Sequence, residues 1–421
     1  MLQTDLHTGD IPNVFARFRD KIGERHWQRR ITRVKEDIRG NRFLRQHLIE
    51  DNAIAFALTE CSNLTVRYKQ IPTDAIETRA LYPALSFAAQ VLSIIDRSST
   101  QQAKGLIRRI QGAFNNPDDM RALRLELTAA THFTKRGYAI AWPEMESSGT
   151  FDLLIKDISN NGLEVECKSV SRDKGRKIHR RDALEFWHII CPQLEEASRT
   201  LHSGLAVVLT VPGRLPKSFQ HRSDLARRVI ASVLQASDNT FEDGTHVRIV
   251  EFDAALLGDV GVDGRPAIGR VAIDQVTSTR NREVMVVGRR SSGAIALVLQ
   301  SADDDSLLEY VLDTMARAAK EQLTKTRPGL LLTGLHDIQA SELIDLARQD
   351  FNFGKPPTAL RIAVSSFLSS QNRDHVIGVG FLSRTELMPE ADGNVASRGS
   401  AYLFPRRESR FWHEDFSGMF S

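Results

Sequence analysis

Cysteine is scarce in this chain. Cys61, Cys167 and Cys191 are far apart and odd in number, which excludes a disulfide framework and a cysteine zinc knuckle and fits a reducing compartment. No apolar run approaches the roughly 20 residues that span a bilayer. No charged stretch followed by an apolar one opens the sequence, so no secretory signal is expected and the cytoplasm is the expected location. A large charge of one sign is also missing. The net charge of +3 makes the whole-protein field weak, so charge has to be read locally. The histidines lack the paired spacing of zinc proteases, and no Gly-x-Ser-x-Gly elbow is present. Gly354-Lys355-Pro356 is not a phosphate loop, because Gln349 stands where the first glycine belongs and a proline follows the lysine. With no ATPase motif, any motor would be a separate protein. Internal repeats are absent.

What is present suits a soluble α/β protein. A hydrophobic content of 41% over 421 residues can fill sizeable cores, and the length predicts two or three domains. The stretch 15–48 is strongly basic, and its apolar residues Phe18, Ile22, Trp27, Ile31 and Val34 recur at helical intervals. Arg29, Arg30 and Arg33 belong to a face that can meet phosphates or simply be solvated. Helical patterning continues to the turn-rich cluster Asn115-Asn116-Pro117-Asp118, which predicts a helical N-terminal region over 1–115.

The chain's chemistry is concentrated in 120–188. Leu163, Val165 and Cys167 alternate with Glu164, Glu166 and Lys168, as across a strand. Upstream, 151–155 reads as an apolar strand interrupted by Asp152. An acid in a buried strand is costly unless it has a partner. Asn160-Asn161-Gly162 is a hairpin signal. It makes the two strands antiparallel neighbours and brings Asp152 close to Glu166. Two carboxylates there offer the hard oxygens that Mg²⁺ prefers. Lys168, two residues beyond Glu166, points into the same site. The spacing over 120–136 predicts an amphipathic helix from which Glu126 can reach the same ion. Arg172, Lys174, Arg176, Lys177, Arg180 and Arg181 follow as a basic loop expected at the mouth of the site.

Beyond Pro212, strands and helices alternate. The segments 360–367 and 376–382 read as a hairpin, and Asp303, Asp304 and Asp305 as helix-capping acids rather than a second metal site. The tail through Phe411 and Trp412 reads as packed against the body.

Helix with Glu126, strand, strand with Asp152, strand with Glu166-Cys167-Lys168, then helix and strand: this order resembles the PD-(D/E)XK nucleases, the restriction-endonuclease-like family. The resemblance covers residues 116–212, and Phe151 stands where the family's proline would be. It implies an α/β fold with a restriction-endonuclease-like mixed-sheet core at 116–215, between the helical region and an α/β extension or second domain at 216–421. It also implies a Mg²⁺- or Mn²⁺-dependent endonuclease. Asp152 and Glu166 are then metal ligands, the Cys167 backbone carbonyl a third, Glu126 an auxiliary ligand and Lys168 the catalytic lysine. DNA is the expected partner, with RNA as an alternative. A second copy of the chain or a separate ATPase or sensor subunit is a further expected partner. Some members of the family lose the site and keep only a binding or scaffold role, which is the competing expectation.

Overall fold

The computed structural model describes residues 6–72, 79–146, 148–171, 173–253, 282–289, 293–335, 338–383, 386–389 and 394–419. It opens with strand β1 (Leu6–His7) and helices α1 (Ile11–Ile22), α2 (Arg25–Gly40), α3 (Leu44–Asp51), α4 (Ala53–Tyr68), α5 (Tyr82–Ile95), α6 (Thr100–Ala113) and α7 (Pro117–Lys135). Next come β2 (Ile140–Ala141), the short α8 (Pro143–Glu146), β3 (Leu153–Ile155), β4 (Leu163–Val170), α9 (Arg180–Ser198), β5 (Gly204–Val211) and α10 (Phe219–Gln235). The chain continues with β6 (Asn239–Thr240), β7 (His246–Phe252), β8 (Arg282–Arg289), β9 (Gly293–Ser301), α11 (Leu307–Glu321) and β10 (Gly329–Leu335). It closes with α12 (Ala340–Phe351), α13 (Ala359–Leu368), β11 (Val376–Ser383), β12 (Glu386–Pro389), β13 (Asn394–Arg398) and β14 (Ala401–Pro405). This is an α/β protein with mixed sheets. Among the described residues no helix is long and apolar enough to cross a membrane.

Two compact units result. The first takes Met1–Lys35, Ile49–Lys174 and Leu308–Ser421, and the second takes Glu36–Leu48 and Gly175–Leu307. The contiguous division expected from the sequence, at 115 and 215, does not describe them. The reason lies in strand pairing. β4 pairs on one side with its hairpin partner β3, and on the other with β10, parallel and far along the chain. No local pattern announces such a partner. β5, expected in the same sheet as β4, pairs instead with β7 and β9 in the second unit.

The main sheet of the first unit runs β14-β11-β10-β4-β3-β2. β10 is parallel to both β4 and β11, while the β2, β3 and β14 pairings are antiparallel. Apolar residues cover both faces. Leu125, Ala129 and Phe133 of α7 join one cluster with Val165, Cys167, Leu330 and Leu332. Val311, Met315, Leu343 and Val364 from α11, α12 and α13 join another with Val170, Leu331, Val379 and Phe381. A third core forms among the N-terminal helices, where Phe18 meets Trp27 and Phe87 with ring centres 6.0 Å apart.

The second unit has a five-stranded sheet, β6-β7-β5-β9-β8, with α9 and α10. The turn between α2 and α3 belongs to it. There the Asn41 amide donates to the Leu184 carbonyl at 3.2 Å, and Arg42 pairs with Glu195 at 2.9 Å.

One element departs from its expected type. Residues 360–367 form most of helix α13 rather than a hairpin strand. Thr358 caps it, accepting from the Arg361 amide at 3.1 Å, while Val364, Phe367 and Leu368 are buried at helical spacing. The β-branched Ile362 and Val364 suggest a strand, and the cap and burial prevail over that propensity.

Candidate active site

The site grows out of the β3–β4 hairpin. Leu153 pairs with Val165, Leu154 with Glu164 and Ile155 with Leu163. Asp152 lies one residue before β3, and continuing that register places it opposite Glu166. Its carboxylate accepts from the Cys167 backbone N–H at 2.8 Å. The N–H and C=O of one strand residue face the same neighbour. Cys167 therefore turns its carbonyl, the expected third ligand, toward the edge where Asp152 sits. Glu166 is 1% exposed. One of its oxygens, Oε1, accepts from Lys168 Nζ at 2.5 Å, while Oε2 is buried with no hydrogen-bond partner among the described residues. Glu126, midway along α7, is also buried, and Arg109 of α6 grips both its oxygens, at 2.5 and 2.8 Å. Glu144 also pairs with Arg109, at 3.5 Å.

These carboxyls repel one another. Burial, followed by the Asp152 charge, raises the pKa of Glu126, and the Arg109 guanidinium only partly opposes this. Burial and then Asp152 likewise raise Glu166, against the pull of Lys168, with Glu126 adding further repulsion. Burial raises Asp152 too, although the Cys167 amide and the charges of Lys168 and Arg109 pull it down. A bidentate arginine or a lysine normally lowers a carboxyl pKa. Here desolvation, with like charge after it, outweighs both, and the three carboxyls face two cations, Arg109 and Lys168.

A divalent cation would add to the positive charge there. Among the described residues no group of three or more His, Cys, Asp or Glu side chains is arranged to hold a metal ion. Asp152, Glu166 and the Cys167 carbonyl still offer oxygen donors, and Mg²⁺ is commonly held by one or two carboxylates together with waters and substrate phosphates. Glu166 Oε2, without a hydrogen-bond partner among the described residues, is a further oxygen donor there. Asp152, Glu166 and the Cys167 carbonyl are the groups that would hold such an ion. Glu126, expected as an auxiliary ligand, is committed to Arg109.

The expected cationic residues are dispersed. In the second unit, Arg176 pairs with Glu283 at 2.8 Å and Asp305 at 3.6 Å, Lys177 with Asp303 at 3.2 Å, Arg180 with Glu283, and Arg181 with Glu185 at 3.0 Å. The basic loop thus neutralises acids of its own unit. Asp303 and Asp305, expected as helix caps, are its partners, and Asp305 also accepts from the Lys177 amide at 2.8 Å. Lys174, in the first unit, lies 5.8 Å from the Tyr310 ring centre. Arg172 falls outside the described residues. On α2, Arg29 and Arg33 are exposed, and Arg30 donates to the Asn52 side chain at 2.6 Å.

Sequence reasoning missed Arg109. Its one signal was a cation beside the apolar stripe of Leu106, Ile110 and Ala113, and nothing there identified Glu126 as its partner. No protein-family model, curated protein or solved structure matches this chain.

Proposed function

We propose that the first unit is a metal-dependent nuclease with a restriction-endonuclease-like core, hydrolysing phosphodiester bonds in DNA. The observation that carries the reading is the crowding of Asp152, Glu166 and Glu126 around Lys168, with Glu166 Oε2 left unpartnered in a buried site. A structural ion-pair network has no need of surplus buried negative charge. A bound cation does, and functional sites are where such imbalances gather.

Asp152, Glu166 and the Cys167 carbonyl would hold the ion, whose chemistry is to polarise the phosphate and lower the pKa of a water. Lys168 presents its ammonium beside Glu166, where it stabilises the charge that builds on the phosphate oxygens in the transition state. Arg109 holds Glu126 in place and supplies a second positive charge to the cluster. Arg29 and Arg33, exposed on α2, provide phosphate contacts outside the site.

The test is cleavage of plasmid and oligonucleotide DNA, and of RNA, with Mg²⁺ and with Mn²⁺. Wild type should cut and Lys168→Ala should not, with DNA binding retained. Equal cutting by both refutes the assignment. The Arg109–Glu126 and Lys168–Glu166 pairs favour a second reading, a silent nucleic-acid-binding or scaffold subunit whose site has closed on itself. Binding of nucleic acid with neither cleavage nor metal affinity would establish it.

A further inference from the structure

Thr333, on β10, is fully buried at 0% exposure. Its hydroxyl makes no hydrogen bond among the described residues. A buried, unsatisfied hydroxyl costs roughly 1–3 kcal/mol, so its presence in a sheet centre asks for a reason.

Register supplies the reason. β10 lies between β4 and β11, and Thr333 pairs with Lys168 on one side and Phe381 on the other. Paired residues of neighbouring strands project from the same sheet face. Phe381, 1% exposed, offers the hydroxyl nothing to bond. Toward β4 stand Lys168 and, diagonally, Glu166, which pairs with Leu331 two residues before Thr333. Two unsatisfied polar atoms, Thr333 Oγ1 and Glu166 Oε2, therefore share one face beside the Lys168 ammonium. A buried water needs two to four polar partners. Thr333 Oγ1, Glu166 Oε2 and Lys168 Nζ supply three.

We propose that Thr333 is a positioning residue of this site, its hydroxyl and Glu166 Oε2 together holding a water against Lys168. The inference rests on the nuclease reading, in which a water held beside Lys168 would serve as the attacking oxygen. Thr333 acts through the water and through Lys168, and need not touch the substrate.

The test compares Thr333→Val, which keeps shape and removes the hydroxyl, with Thr333→Ser, which keeps the hydroxyl. The expected result for Thr333→Val is a kcat about 10- to 100-fold lower, with KM and melting temperature little changed and kcat recovered in Thr333→Ser. A role in packing alone would predict the reverse, because valine fills the site as well as threonine and serine does not. Unchanged kcat in Thr333→Val, with wild type active, overturns the inference and leaves the nuclease reading standing. If wild type cuts nothing, the nuclease reading fails, and a high-resolution crystal structure decides the placement. Ordered solvent within about 3.2 Å of Thr333 Oγ1 and Glu166 Oε2, lost in Thr333→Val, supports it. Its absence from the wild-type crystal overturns it.

Discussion

The two units treat buried charge in opposite ways. In the second unit, Glu283 is 5% exposed and is met by two arginines, Arg176 and Arg180. Arg222, also 5% exposed, is met by Asp182 at 2.7 Å and by Glu185, and further donates to the Pro216 carbonyl at 2.5 Å. Even at the exposed Asp243 a cation closes the charge, the hydrogen bond from Arg228 holding its pKa at about 2. Every one of these acids has a cation in contact. In the first unit, three carboxyls compete for Arg109 and Lys168, and their pKa values rise despite those cations. Ion pairs alone do not mark a functional site. What separates the two networks is whether the charges close.

That contrast can be broken most decisively at the chemistry. Asp152→Ala and Lys168→Ala should each cost about 10²-fold or more in cleavage rate, the first by losing metal and the second without losing it. Metal titration followed by tryptophan fluorescence or calorimetry separates them. Glu283→Ala should be inert in cleavage but should destabilise the second unit by on the order of 3 kcal/mol, since it strands two arginines. Glu166→Gln without metal should leave the first unit as stable as wild type or more so. Urea denaturation measures both, and equal destabilisation by the two variants would erase the distinction drawn here. Mg²⁺ at about 100 times its Kd should stabilise wild type by about 2.7 kcal/mol, and Asp152→Asn by almost nothing. A thermal shift on the two proteins reports this.

The smallest effect concerns His132 on α7. Burial, reinforced by Arg136, lowers its pKa to about 4, from the ordinary 6.5. The unfolded chain therefore binds the proton more readily between those values. Stability from this group is complete above pH 6.5 and is lost as pH falls toward 4. At one pH unit below 6.5 the loss should be on the order of 1 kcal/mol. His132→Gln should flatten that part of the stability profile, and an unchanged slope would refute the assignment.

How much of this was legible in the sequence depends on distance along the chain. The β3–β4 hairpin and α7 could be read because their signals are local: alternation at 163–168, an Asn-Gly turn, apolar spacing at 120–136. Asp152 and Glu166 came together in the reading for that reason. Buried Glu164 went unexplained, because its partner is the Thr324 hydroxyl, at 2.5 Å, beyond the end of α11. Arg109, Thr333 and the β4–β10 pairing are products of tertiary contact, which hydrophobic period cannot encode. The basic loop reads as one phosphate-facing group because, Glu185 aside, the acids that neutralise it lie 103 and 126 residues later, in the pairs Arg180–Glu283 and Lys177–Asp303.

The parallel pairing of Glu166 with Leu331 sets a timetable for synthesis. The ribosome makes β4 and then the whole of residues 175–307 before β10 exists. At 5–20 residues per second that delay is on the order of ten seconds. Until it ends, β4 has an open edge, a template for wrong pairing, and Thr333 has not yet been made. A truncated chain that stops within residues 175–307 therefore has Asp152, Glu166 and Lys168 without the strand beside them. The nascent protein cannot assemble the full site until β10 has emerged.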